Sequence, residues 1–209
     1  MITKAKFKSV KTKEGIKVFR YETVFESEKG PGEVIGLVYM MNPGDARPES
    51  DKLFTTLQRS EFQTPHHVPT NPDRTMAKVM KLLELAFESN NIKLPEKYTI
   101  HVENLFNIRE KKSKVAAAMA TRLTDVSAIM FQSRKFSSHY DFVWLAWGKV
   151  KIESKKQKRV LEQFPKAVKV FKRRYGGEIR VVDYPIHPLY VNRDFFFEAF
   201  KQKMERDDA

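Results

Sequence analysis

Cysteine is absent from the chain. Disulfides, zinc–thiolate centres, iron–sulfur clusters and thiol catalysis are thereby excluded, and a cytoplasmic location is the simplest expectation. Apolar runs of membrane-spanning length are also missing, so no membrane partner is expected. The opening MITKAKFKSV is basic but lacks the apolar centre of a secretory signal. There are only eight glycines, and they form neither a phosphate loop followed by lysine nor a dinucleotide fingerprint. No nucleophile-elbow serine is present. The five histidines (66, 67, 101, 139 and 187) have no metal-ligand spacing, so neither a metal nor another cofactor is expected.

Positive charge is abundant and unevenly placed. The net charge is +13. Positions 1–20 carry seven Lys/Arg against one Glu, and positions 149–177 carry eleven against two Glu. Those stretches account for more than the whole excess, which points to a polyanion partner, nucleic acid first. The alternative is a solvated helix face in a lysine-rich protein.

Strands and helices alternate along the sequence. Residues 6–26 read as two strands around a turn at 13–15, and EVIGLVYMM (33–41) is apolar on both faces, as in a central parallel strand. Asp73 reads as the cap of a helix with apolar residues at 76, 79, 80, 83, 86 and 87. Further strands are predicted at 97–106, 140–148 and 178–185, and one or two helices at 113–135. The basic stretch reads as a helix split at Pro165 and ended by Gly176-Gly177, and an aromatic helix follows from Asn192. The expectation is an α/β protein, a three-layer α/β/α sandwich with a mostly parallel central sheet plus an N-terminal β-hairpin. It is expected as one domain over 1–209, with 1–30 as the hairpin extension and 31–209 as the core.

Four predicted strands end in polar or glycine-containing stretches: Asn42-Pro43-Gly44, Asn104, Trp147-Gly148 and His187-Pro188. Ligands of open parallel sheets bind outside the carboxyl ends of the strands, so these four should meet on one rim. Each has a plain structural reading: a type II turn, a loop-capping asparagine, a core tryptophan, a hydrogen-bonding histidine. Their coincidence at strand ends favours a site.

In order and content these segments resemble the uracil-DNA glycosylase superfamily, whose mismatch-specific and single-strand-selective branches carry an Asn-Pro-Gly first motif. MMNPG, ENLFN, VWLAWG and HPLY are each similar to a segment of that superfamily. Over nearly its whole length the chain looks still more like a bacterial and phage family of unknown function with MNPG, NLF, AWG and HPLY motifs. The resemblance implies a glycosylase-like fold and a base-binding pocket. Asn42 would orient water and His187 would donate to the base as negative charge develops on it. Pro43 and Gly44 would hold the pocket's backbone, Phe54 would stack on the base, and Asn104 would pair with its edge beside Trp147 and Gly148. Lys149, Lys151, Lys155, Lys156, Lys158 and Arg159 would follow phosphates. The implied partner is nucleic acid, DNA ahead of RNA, or a nucleotide. The chain departs from the superfamily where Leu189-Tyr190 replace the small residues after His-Pro, and Asn42 has no group that deprotonates water. Two other readings stay open: a non-catalytic DNA- or RNA-binding module, and an enzyme acting on a free nucleoside or nucleotide. The oligomeric state is not legible.

Overall fold

The structure, a computed structural model, describes residues 1–136, 139–149, 155–175 and 178–207. Lys151 and Gly176-Gly177 lie outside the described residues, as does the side chain of Lys155. The chain begins with β1 (Ile2–Thr12), β2 (Gly15–Glu26) and β3 (Glu33–Met40). Next come β4 (Arg47–Pro48), α1 (Asp51–Arg59), β5 (Phe62–Gln63), β6 (Val68–Asn71), α2 (Arg74–Ser89) and β7 (Tyr98–Asn104). Helix α3 (Ser113–Arg122), a short 3-10 turn and α4 (Ser127–Met130) lead to β8 (Phe142–Leu145) and α5 (Lys155–Gln163). β9 (Val168–Lys169), β10 (Lys172–Tyr175), β11 (Glu178–Val181), a 3-10 turn at Pro188–Tyr190 and α6 (Arg193–Asp207) complete the order.

The α/β class read from the alternation holds, with a sheet that is parallel at its centre and mixed as a whole. Its order is β4-β6-β1-β2-β7-β3-β8-β9, with β5 also on β1. β7, β3, β8 and β9 run parallel, while β1 and β2 pair antiparallel and β2 joins β7 antiparallel. The cause is local: a two-residue turn between Thr12 and Gly15 can join only antiparallel strands. The hairpin therefore continues the sheet, and Phe25 on β2 belongs to the central core.

The parallel strands are apolar on both faces because helices cover both. Val38 and Met40 of β3 and Trp144 of β8 pack with α2 (Met76, Val79, Leu83) and α6 (Phe196, Phe200). Leu37, Tyr39, Val143 and Leu145 face the other way, against Ala116 of α3, Ile129 and Met130 of α4, and Val160 of α5. Each buried Leu, Val, Met or Phe contributes about 1.5–3 kcal/mol. Helix α2 starts where expected, because the Asp73 carboxylate accepts the Met76 N–H at 2.9 Å.

Two expectations fail in the basic C-terminal third. The helix over 149–177 ends at Gln163, and its second half is absent. Proline lacks the N–H a helix needs, and beyond Pro165 the burial alternates, Val168 and Val170 inside and Lys169 partly out, so the chain forms β9 instead. The strand expected at 178–185 is not in the main sheet either. β11 is exposed along its length and pairs with β10 as a separate ribbon, and β9 takes the sheet edge.

Candidate functional site

The loop after β3 is fixed from three directions. The Asn42 amide nitrogen donates to the Glu110 carbonyl at 2.6 Å. Arg109 reaches across to the carbonyls of Asp45 (2.6 Å) and Ala46 (3.0 Å). Gly44 adopts φ +64°, and a side chain there would run into the Asp73 carboxylate, so only glycine fits between loop and helix cap.

After β8 the chain turns at Gly148 (φ +78°), whose N–H donates to the Pro185 carbonyl at 2.9 Å. Ile186 donates to Val170 at 2.9 Å. These bonds bring His187 to the rim sideways, from the ribbon, and not from the end of a sheet strand as the sequence suggested. A Cβ on Gly148 would lie 3.0 Å from that of His187, so the glycine is what permits their approach.

Asn42, Pro43, Gly44, Trp147, Gly148, Lys149 and His187 thus line one cleft of about 590 Å³ at the carboxyl ends of β3 and β8. Met40 and Ile186 are also in its lining, Asp45 and Asp73 bring carboxylates, and Arg74, Lys111 and Arg173 bring further cations. None of these last five was singled out as cleft-lining from sequence. Asp73 was legible as a helix cap, and Arg173 as part of the basic run, but nothing local signals that either faces the rim.

The protonation of His187 is fixed by its neighbours. The Leu189 backbone N–H approaches Nδ1 at 3.3 Å, and because that group only donates, Nδ1 must accept. The proton of the neutral ring therefore sits on Nε2 as a donor. Burial pushes the His187 pKa below the usual value, Asp73 opposes this, and Lys78 adds to it. Lys78 also anchors the turn by donating to the Leu189 carbonyl at 3.0 Å.

Other candidates lie elsewhere. Phe54 leaves the rim on α1 and packs beneath Arg109 and Arg47, with guanidinium carbons 4.8 and 5.4 Å from its ring centre. Asn104 is buried, outside the cleft lining, with its side-chain oxygen unpartnered. Lys156 turns inward, and its amine donates to the Asn104 carbonyl at 2.7 Å. Burial lowers the Lys156 pKa to about 8 against the pull of Glu103. Lys158 and Arg159 remain exposed on α5. Among the described residues no group of His, Cys, Asp or Glu is arranged to hold a metal ion, and no helix is long and apolar enough to cross a membrane.

Comparison of the chain with family models, curated proteins and solved structures finds no match.

Proposed function

We propose that this chain is a nucleic-acid or nucleotide-binding protein that holds a base in the rim cleft, DNA ahead of RNA, and that the cleft assists hydrolysis of an N-glycosidic bond. The observation that carries this reading is a neutral His187, Nε2–H free to donate, in the same cleft as Asn42. When an N-glycosidic bond breaks, negative charge grows on the base. A fixed neutral donor stabilises that charge without first giving up a proton. Asn42, tied through its nitrogen, offers its oxygen to a water. The carboxylate of Asp45, exposed and 3.9 Å from Lys111, supplies the titratable group that Asn42 lacks.

The surroundings support a phosphate-bearing ligand. Arg74, Lys111, Lys149 and Arg173 line the cleft, and the β10–β11 ribbon exposes Tyr175 between Arg173 and Arg180, whose guanidinium carbons lie 5.4 and 5.0 Å from its ring centre. Cations with an exposed aromatic suit a nucleic-acid strand. The reading takes the helices on both faces as the three-layer sandwich of the uracil-DNA glycosylase superfamily, which the MMNPG, ENLFN, VWLAWG and HPLY segments resemble.

The test is incubation with single- and double-stranded oligonucleotides bearing deaminated or otherwise modified bases, scored for abasic sites. Abasic sites formed by the wild-type chain, and reduced at least a hundredfold in His187→Ala and Asn42→Ala with DNA affinity retained, are the expected result. A negative result across the panel removes the hydrolytic step. Affinity that does not change with salt removes the phosphate contacts and leaves a small uncharged ligand.

A further inference from the structure

On the sheet face covered by α3, α4 and α5 lies a second cavity, of about 1100 Å³, which shares no lining residue with the rim cleft. That is large enough for a small ligand, since such sites run to roughly 300–1,000 Å³. Its walls include Phe106, Phe131 and Phe136, with Tyr39 from β3 and Lys156 and Arg159 from α5.

Three features indicate what fits. The Tyr39 hydroxyl is buried and makes no hydrogen bond of good geometry, although the Ser133 side chain lies close enough to lower its pKa; burial is the larger effect and raises that pKa, so it stays a phenol with a proton to donate. A buried donor left unmatched is costly, and such groups in folded proteins are nearly always satisfied. No described residue in the lining is acidic. Arg134 is neutralised by Glu103 at 2.7 Å, but Lys156, its amine 5.8 Å from the Tyr39 ring centre, and Arg159 bring cationic charge. Finally, three phenylalanines supply flat apolar surface, which favours a ring over a bare inorganic anion.

We propose that this cavity binds a small aromatic anion. Its ring lies against Phe106, Phe131 and Phe136, its anionic group meets Lys156 and Arg159, and an acceptor atom takes the Tyr39 proton. An aromatic carboxylate and a nucleoside monophosphate share this chemistry. The site does not depend on the rim reading, because its walls are separate.

Calorimetric titration of the full chain with salicylate and, separately, with uridine monophosphate tests the proposal and distinguishes the two sources. One equivalent of at least one probe is expected to bind. Tyr39→Phe should weaken it about tenfold, the effect of one lost hydrogen bond. Arg159→Glu should weaken it further. Ala120→Phe fills the cavity from α3 and should abolish it, while His187→Ala leaves it unchanged. Failure of both probes to bind at millimolar concentration overturns the proposal. So does salicylate binding that survives Ala120→Phe in a folded protein, uridine monophosphate binding undiminished by that change, or salicylate binding lost in His187→Ala. If Ala120→Phe does not fold, Tyr39→Phe decides, since it keeps the ring and removes only the hydroxyl; undiminished affinity there overturns the assignment.

Discussion

Gly44 is the residue whose replacement should reveal most about the rim. Alanine there must hold φ near +64° and push aside the carboxylate that caps α2. Gly44→Ala should cost about 2–3 kcal/mol, read as a lower denaturation midpoint with unchanged slope. Arg20 should behave in the opposite way. It is wholly buried, with one guanidinium nitrogen on the Met76 sulfur at 2.7 Å and the other two nitrogens unpartnered. Burial lowers its pKa to about 10, with Asp73 and Asp45 countering and Arg109 adding to the effect. An uncompensated buried cation is expensive, so Arg20→Met should stabilise the protein by about 1 kcal/mol or more. A destabilised Arg20→Met would show that the neighbouring Asp73 and Asp45 supply more than the contacts suggest.

His101 gives a pH dependence of definite sign. Burial lowers its pKa from 6.5 to about 3, with Arg134 and His67 acting in the same direction. Between those values the unfolded chain binds a proton that the folded chain does not, so stability falls as pH drops from 6.5 toward 3. Thermal melts should follow that slope. His101→Phe, which keeps an aromatic ring beside Tyr140 and cannot titrate, should flatten it.

Among the elements, the ribbon carries the phosphate-binding proposal. Reversing Arg173, Arg174 and Arg180 to Glu should lower DNA affinity by at least tenfold and reduce its salt slope, whereas reversing Lys158, on the exposed face of α5, should do much less. Equal effects would return the contact to the helix, where the sequence had located it. Lysine in a basic run reads the same whether it projects into water or, like Lys156, turns inward to a backbone carbonyl. Likewise β10 and β11 resemble any alternating strands, and whether such strands join a sheet or stand apart depends on the path of the chain between Val170 and Ile186. By contrast β3 and β8 were legible because continuous apolar runs can be buried only on both faces, and Asp73 because a cap acts within three residues of its own backbone. The joining of residues 42–44 and 147–148 at one cleft was legible as a consequence of strand ends; His187 joins them through the bonds that bring it in from the ribbon. The diversion of Phe54 to the arginines of the neighbouring loop was not, since it depends on where α1 turns away.

For the whole molecule, the hairpin matters more than its terminal position suggests. β2 pairs with β7 from Thr23↔Val102 to Glu26↔Thr99 and places Phe25 in the core. A chain lacking residues 1–26 would expose that edge and empty that position, and should fail to give a cooperative melt. The same sheet holds the rim loops in place, so rim function should be lost with it.

The central claim is that His187 sits in the cleft as a neutral donor facing a bound base. Long-range proton–nitrogen NMR of its imidazole, followed through pH and then through titration with a base-bearing oligonucleotide, addresses that claim directly. The account expects the proton on Nε2, a pKa below 6.5, and a shift of the Nε2 resonance that saturates with the oligonucleotide. A ring titrating at or above 6.5, or one unmoved by an oligonucleotide that binds, would contradict it.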